Sequence, residues 1–199
     1  MTPIQQLMLG AGAVAKKTYM DDIFSTYLFK GTGSANNVIT NNIDLTEGGM
    51  TWIKNRELSS DHMLYDTVRG VTKFLNSNDD GSEATTSGGI TSFNNNGFTV
   101  GANGESNMTN DQMSSFSFRR ASGFFDIVTY TGSGSNRTIA HSLGSIPGCI
   151  MVKCTSLDRN WAVYHRGMGN GKSMHLDGTG AQHDSTTYWN DTDPTASVF

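Results

Sequence analysis

The sequence has little cysteine and little proline: only Cys149, Cys154 and three prolines in 199 residues. If CIMVKC is one extended strand, the odd separation of the two cysteines puts their side chains on opposite faces, too far apart for a disulfide. A disulfide scaffold is therefore not indicated. We expect free buried thiols in a chain that assembles in a reducing compartment.

Concentrated positive charge and long apolar runs are also missing. Fourteen Lys and Arg residues are outnumbered by 18 Asp and Glu, and the basic residues are scattered. Because phosphate neutralisation needs a concentrated basic surface, we expect no nucleic-acid partner. No stretch approaches the ~18 apolar residues that cross a bilayer, so we expect no membrane insertion.

Helical spacing of apolar residues is confined to the start of the chain, where the aromatic-rich segment YMDDIFSTYLF follows it. Such a short amphipathic segment cannot form a core alone and must pack on its own domain or on a partner. KGTGSANN, at 30 to 37, has the composition of a turn or linker. We therefore predict a particle-docking segment and linker at 1 to 37, with these contact residues: Ile4, Leu7, Met8, Tyr19, Phe24, Tyr27 and Phe29.

From residue 38 onward the pattern indicates β-structure. Short runs rich in β-branched and aromatic residues, such as GMTWIKN and HMLYDTV, are separated by clusters of Gly, Asn, Asp and Ser. The predicted fold class is all-β: tandem antiparallel β-sandwich or jelly-roll-like units after a short, partly helical N-terminal anchor.

The second half of the chain repeats the first. DHMLYDTVRG at 61 to 70 and NWAVYHRGMG at 160 to 169 are 99 positions apart, and WIK at 52 to 54 and MVK at 151 to 153 keep that offset. Such an ordered series indicates duplication of one supersecondary unit. We predict a first β-sandwich repeat at 38 to 120 and a second, incomplete one at 121 to 199.

By the same offset, a complete second copy would extend to about residue 219 and include a closing strand. Two interpretations are open. Either the chain is a fragment of a longer one, which we favour, or another subunit fills the open sheet edge, since an open apolar edge promotes aggregation.

Three polar motifs resemble ligand sites but lack part of the pattern. Arg166 stands where GMGNGKS would need the first glycine of a phosphate-binding loop, and Ser87 stands where the calcium-loop pattern of NSNDDGSE needs a glutamate. HLDGTGAQHD has a spacing that fits no familiar metal site. Since no nucleophile elbow or distinct carboxylate pair is present either, we expect no enzyme activity, metal or cofactor.

Several segments resemble a known family. GGMTWIKNRELSSDHMLYDTVRG, FDIVTYTGSGSNRTIAHSLGSIPGCIMVK and WAVYHRG are similar to a repeated domain of uncharacterised function in virion proteins of marine tailed phages, those of cyanobacteria and SAR11-like hosts. The opening IQQLMLGAGAVAKKTYMDDIFSTYLFKG resembles the N-terminal segment of that group. Its members are often described as tail-fibre or structural proteins.

The resemblance implies a virion structural protein, assembled in the host cytoplasm and more narrowly the particle-proximal, anchoring part of a tail fibre or appendage. Its partners would be other virion proteins of the tail, adaptor or neck, and family analogy implies a homotrimer. One alternative is a capsid-surface fibre or decoration protein.

The other alternative is a lectin-like virion module that binds host surface glycans. Its stacking residues would be aromatic side chains of the β units: Trp52, Tyr65, Trp161 and Trp189. Exposure of these rings would favour glycan binding, and burial in the two cores would count against it.

Overall fold

The computed structural model describes residues 18–199, and they form almost entirely β-structure. Three antiparallel sheets confirm the all-β fold class. In the described part, no helix is both long and apolar enough to cross a bilayer. The elements are β1 (Phe24–Lys30), β2 (Asn37–Thr40), β3 (Gly49–Asn55), β4 (Met63–Asp66), β5 (Lys73–Asn76), β6 (Ala84–Thr85), β7 (Ile90–Asn94), β8 (Gly97–Val100), α1 (Gly104–Asn107), β9 (Gln112–Arg119), β10 (Cys149–Val152), β11 (Ala162–His165), β12 (Lys172–His175) and β13 (His183–Asp184), with 3₁₀ turns at Met20–Asp22 and Leu45–Glu47.

The first unit is a two-layer sandwich. A six-stranded sheet has the order β1-β9-β3-β4-β5-β6, and a three-stranded sheet has the order β2-β8-β7. Alternate side chains of both sheets point into one core, as the period of two in a strand requires. The buried core residues are Phe29, Ile39, Ile43, Leu45, Ile53, Met63, Tyr65, Ile90, Phe98, Val100 and Met113.

Strand β1 belongs to this sandwich, which corrects the predicted start of the first unit at residue 38. All seven residues of β1 pair with β9, and Phe29 is 8% exposed in the core. The partner strand is distant in the sequence: Tyr27 is opposite Ser115, about 88 positions later along the chain. Local sequence therefore gave no sign that the aromatic segment is an edge strand rather than a separate docking segment.

The second unit reproduces the pairing of the first. Strands β10-β11-β12-β13 lie in the same order as β3-β4-β5-β6. Trp52 is opposite Leu64 in the first unit, and Met151 is opposite Val163 in the second. Since the register is kept at the 99-residue offset, the repeat in the sequence is also a repeat in the structure.

The repeat also extends further upstream than the matches that indicated it. FSTYLFKGTGSANNVIT, at 24 to 40, corresponds to FDIVTYTGSGSNRTIA, at 125 to 140. Ile39 of β2 is opposite Phe98 of β8. Likewise, the backbones of Ile139 and Phe199 exchange two hydrogen bonds, of 2.8 and 3.0 Å. Residues 125 to 140 therefore occupy the place of β1 and β2.

The two units pack against each other through the outer face of the first sheet. Trp161 is 5% exposed there, and its Nε1 donates a hydrogen bond to the backbone carbonyl of Asn76 at 2.8 Å. The Lys153 ammonium donates to the carbonyl of Asp80 at 3.0 Å. The apolar residues of this contact are Met50, Trp52, Leu64, Leu75, Phe118, Phe125, Ile127, Trp161 and Leu176.

The cysteines are free, but the expectation that they are buried is wrong. Cys149 is exposed on β10, and Cys154 is half-buried. Cys149 corresponds to Met50 of the first unit. Met50 is opposite Asp66, and Cys149 is opposite His165, at the same offset of 99 positions. Met50 is covered by the second unit, whereas no described residue covers Cys149 in the same way.

Candidate functional site

The second unit contains an open groove of about 380 Å³ beside β10. Residues 130 to 139 form one wall, strands β10 and β11 form the floor, and residues 187 to 199 form the other wall. The apolar lining includes Tyr130, Ile150, Val152, Tyr164, Trp189 and Phe199.

The lining residues correspond to core residues of the first unit. Phe29 and Phe98 make an edge-to-face contact in that core, with ring centroids 6.2 Å apart and planes at 76°. Tyr130 and Phe199 repeat it at 6.5 Å and 70°. Val152 and Tyr164 stand where Ile53 and Tyr65 stand in the first unit, by the register of the strands. The groove is thus the core of the second unit, open on one side.

Among the described residues, no strand of the second unit corresponds to β9. In the first unit it lies between β1 and β3 and pairs with both. Its side chains Met113, Ser115 and Ser117 are fully buried against the core. In the part of the chain that the structure describes, β10 has a strand neighbour on one side only. Tyr130 is consequently 44% exposed, whereas its counterpart Phe29 is 8% exposed.

The groove has an apolar floor and a polar rim. On the rim, the Asn136 amide donates to the side-chain oxygen of Asn190, and the Arg137 guanidinium donates to the carbonyl of Thr131 at 2.9 Å. Burial raises the pKa of Tyr130, an effect that Arg137 partly offsets. The hydroxyl therefore stays protonated at neutral pH and can both donate and accept hydrogen bonds. Such a surface suits a neutral ligand with apolar groups and many hydrogen-bonding groups.

The four aromatic residues predicted to stack on glycans do not share a surface. Tyr65 is fully buried in the first core, and Trp161 is buried between the units. Trp52 packs on that same contact, and its Nε1 donates to Nδ1 of His62 at 3.0 Å. Only Trp189 of the four lines the groove, where it meets Tyr164 edge-on at 5.7 Å.

The predicted docking residues are also separated. Ile4, Leu7 and Met8 lie outside the described residues. Tyr19 is 56% exposed and Tyr27 is 38% exposed. Phe24 is half-buried against Phe118, with ring centroids 4.9 Å apart. Phe29 belongs to the first core, so its assignment as a docking residue is corrected: its ring is buried among core residues of its own unit.

In two of the motifs that resemble ligand sites, polar side chains form hydrogen bonds within the chain. The amides of Asn76 and Asn78 donate to the carboxylates of Asp79 and Asp61. Asp177 accepts from the backbone of Trp161 at 2.9 Å. Within residues 18–199, no group of three or more His, Cys, Asp or Glu side chains could hold a metal ion.

Tyr130, Tyr188 and Phe199 were not among the predicted site residues, although all three line the groove. A signal for Tyr130 was present in the sequence. The match of FKGTGS at 29 to 34 with YTGSGS at 130 to 135 would have aligned Tyr130 with a core phenylalanine. No comparable signal identified Tyr188.

Fold and groove together define a class: an all-β protein of two duplicated units, in which the described part of the second unit has an open core beside β10, a strand with one strand neighbour. Residues 20–199 match the family model of a domain of unknown function, DUF7483. The chain therefore belongs to that family. No curated protein matches the sequence. No solved structure matches it either.

Proposed function

We propose that this chain is a noncatalytic structural protein of a phage virion, the particle-proximal part of a tail fibre or similar appendage. It assembles in the host cytoplasm, forms a homotrimer, and contacts other virion proteins of the tail, adaptor or neck. It uses no cofactor. The resemblance of the repeated segments to virion proteins of marine tailed phages supports the proposal.

The packing between the two units is the observation that carries it. Trp161 covers the outer face of the first sheet. The backbone N–H of Arg159 and the ammonium of Lys153 both donate hydrogen bonds to the carbonyl of Asp80. Duplicated units that bury apolar surface against each other build a rigid rod without a large single core. A rod of stacked β units is what an appendage requires.

The test is incorporation into particles. We would compare the full chain with a deletion of residues 2 to 17, which leaves β1 and the first core intact. A single substitution of an exposed loop residue, Leu58→Ser, is the control. We expect mass spectrometry of purified virions to detect the full chain and the control but not the deletion variant, while circular dichroism shows all three folded.

A full chain absent from purified virions would contradict the virion assignment. A deletion variant present at normal copy number would contradict the anchoring role of the N-terminus. Sedimentation equilibrium of the full chain tests the trimer, for which a monomer mass is the contrary result.

The groove favours a second candidate function, a lectin-like module that binds host glycans. Tyr130 and Tyr188 are 44% and 46% exposed on its two walls, and Trp189 lies beside Tyr188. Exposed aromatic rings among amide and guanidinium groups are suited to stacking and hydrogen bonding with a sugar.

Calorimetric titration with host surface polysaccharide tests this candidate. If the groove binds glycan, Tyr188→Ala should weaken binding about tenfold, because it removes one stacking surface. Tyr27→Ala, an exposed tyrosine on β1 far from the groove, is the matched control and should leave binding unchanged. Equal effects of the two variants would contradict a glycan site in the groove.

A further inference from the structure

We propose that His175, His183 and Tyr188 form a structural binding site for one divalent transition-metal ion that prefers imidazole nitrogen, such as Zn²⁺. The ion joins strands β12 and β13 to the segment that follows them. This inference goes beyond the proposed function and does not depend on it.

Strand pairing brings the two histidines together. Ser173 is opposite His183 in the antiparallel pair of β12 and β13. His175 lies two residues after Ser173 on β12, so its side chain is on the same face of the sheet as that of His183. Side chains in this diagonal relation on neighbouring strands can reach each other. The spacing in HLDGTGAQHD did not predict a site, because the two histidines meet only through the pairing of the strands.

Tyr188 completes a cluster of three rings. The ring centroids of His175 and His183 are 5.2 Å apart. The ring of Tyr188 lies 6.2 Å from that of His175 and 5.8 Å from that of His183. All three pairs meet edge-on, at interplanar angles between 64° and 69°. The three rings are therefore close enough for one polar atom of each to reach a single ion.

The distance between two of the polar atoms fits metal coordination. Nε2 of His175 lies 3.2 Å from the hydroxyl oxygen of Tyr188. Two ligands at about 2.0 to 2.1 Å from a tetrahedral zinc ion are about 3.3 to 3.4 Å apart, so these atoms are close to the required separation. The hydroxyl releases its proton to solvent when it binds the ion. His183 supplies the third ligand, and water takes the fourth position.

The acidic residues of the same motif are engaged elsewhere. Asp177 accepts hydrogen bonds from the amide of Asn160 at 2.8 Å and from the backbone of Trp161 at 2.9 Å. Asp184 follows His183 on β13, so its side chain lies on the opposite face, where it is 91% exposed. Two imidazoles without a carboxylate favour Zn²⁺ over Ca²⁺ or Mg²⁺, which prefer oxygen ligands.

The site is separate from the open core and specific to the second unit. Neither histidine lines the groove, and β10 and β13 are at opposite ends of the sheet. The register of the strands places Asn76 and Ala84 of the first unit at the positions of His175 and His183. The first unit therefore offers no imidazole there, and each chain should bind one ion.

The binding test is calorimetric titration with zinc chloride. It uses the full chain with Cys149→Ser and Cys154→Ser, because thiolates also bind zinc. We expect one saturable site, and His183→Ala should weaken binding by about tenfold or more. His165→Ala, which changes an exposed histidine on β11 of the same unit, is the matched control and should leave the affinity within about twofold.

Tyr188→Phe separates the hydroxyl from the ring. This variant keeps the aromatic packing and loses only the oxygen ligand. It should weaken zinc binding severalfold, by less than His183→Ala does.

Because His183→Ala could also disturb the short edge strand β13, the site is tested independently with all histidines present. Diethyl pyrocarbonate modifies imidazole through a free nitrogen lone pair, which a bound metal ion occupies. Mass spectrometry should show that zinc slows modification of His175 and His183 and leaves that of His165 unchanged.

Absence of saturable zinc binding, binding unaffected by His183→Ala, or equal protection of the three histidines would each overturn the proposal. A Tyr188→Phe chain that binds zinc as tightly as its parent would overturn the three-ligand site. Detection of the chain in virions is measured separately, so failure of the metal site and failure of the virion assignment can be told apart.

Discussion

At the scale of single residues, His62 couples the stability of the first unit to pH. Burial lowers the pKa of His62 below 6.5, Lys54 lowers it further, and Asp61 opposes them. Its Nδ1 accepts a hydrogen bond from Trp52, which requires that nitrogen to be unprotonated. The neutral imidazole is therefore the form that the folded chain favours.

The sign of the effect follows from the lowered pKa. Below pH 6.5 the unfolded chain binds more protons at His62 than the folded chain does. Stabilisation is therefore complete above pH 6.5 and is lost as the pH falls through the lower native pKa. We expect urea unfolding at pH 7.5 and pH 5 to show a larger loss of stability for the wild-type chain than for His62→Gln. Equal losses would contradict the coupling.

Gly89 is a second residue at which the structure predicts the effect of a substitution on stability. A Cβ at this position would lie 2.4 Å from the hydroxyl oxygen of Tyr65, whose side chain is fully buried and cannot move aside. Gly89→Ala should therefore lower the free energy of unfolding by about 2 kcal/mol, a typical cost of overpacking. Gly180→Ala is the control, because a Cβ there meets nothing within 4 Å. Chemical denaturation of the two variants measures the difference, and equal stability would contradict the tight contact.

At the scale of elements, the contact between the units depends on Trp161. Replacement by alanine removes a buried ring from the cluster with Met50, Leu64 and Leu75 and leaves the carbonyl of Asn76 without its donor. We expect Trp161→Ala to cost about 3 to 5 kcal/mol of stability, as other buried tryptophan truncations do.

Trp161→Phe separates the two contributions, since it keeps most of the apolar contact and loses only the hydrogen bond. It should cost clearly less than Trp161→Ala. The neighbouring exposed residue gives the matched control: Leu157→Ala should change stability by less than about 0.5 kcal/mol. Calorimetric unfolding of the three variants is the measurement, and a Trp161→Ala chain as stable as the control would contradict a shared interface.

The sequence predicted the strands that are marked by a local alternation of apolar and polar residues. The alternation in GMTWIKN and HMLYDTV predicts strands, and β3 and β4 form there. The aromatic segment at β1 was assigned to a docking region, because its partner strand β9 is distant in the sequence and propensity carries no information on such pairing. Hydrophobic pattern marks a residue as apolar, but it cannot distinguish the first core, which closes over Tyr65, from the second, which leaves Tyr130 exposed.

At the scale of the whole molecule, the chain contains two copies of one β unit, and the described part of the second copy has four strands, β10 to β13, against nine in the first. The first copy has β9 and a closed core, and the second has a groove in the equivalent place. An unpaired edge beside apolar surface is a site for association with another polypeptide segment.

Amide hydrogen exchange of β3 and β10 in the full chain is the most direct test of this view. Strand β3 is paired on both sides over residues 50 to 53, by β4 and β9, so the amides of these residues should exchange slowly. Strand β10 is paired only with β11 among the described strands, so alternate amides should exchange much faster. If β10 is as protected as β3, its second edge is paired in solution and the central claim, a second core that is open beside β10, fails.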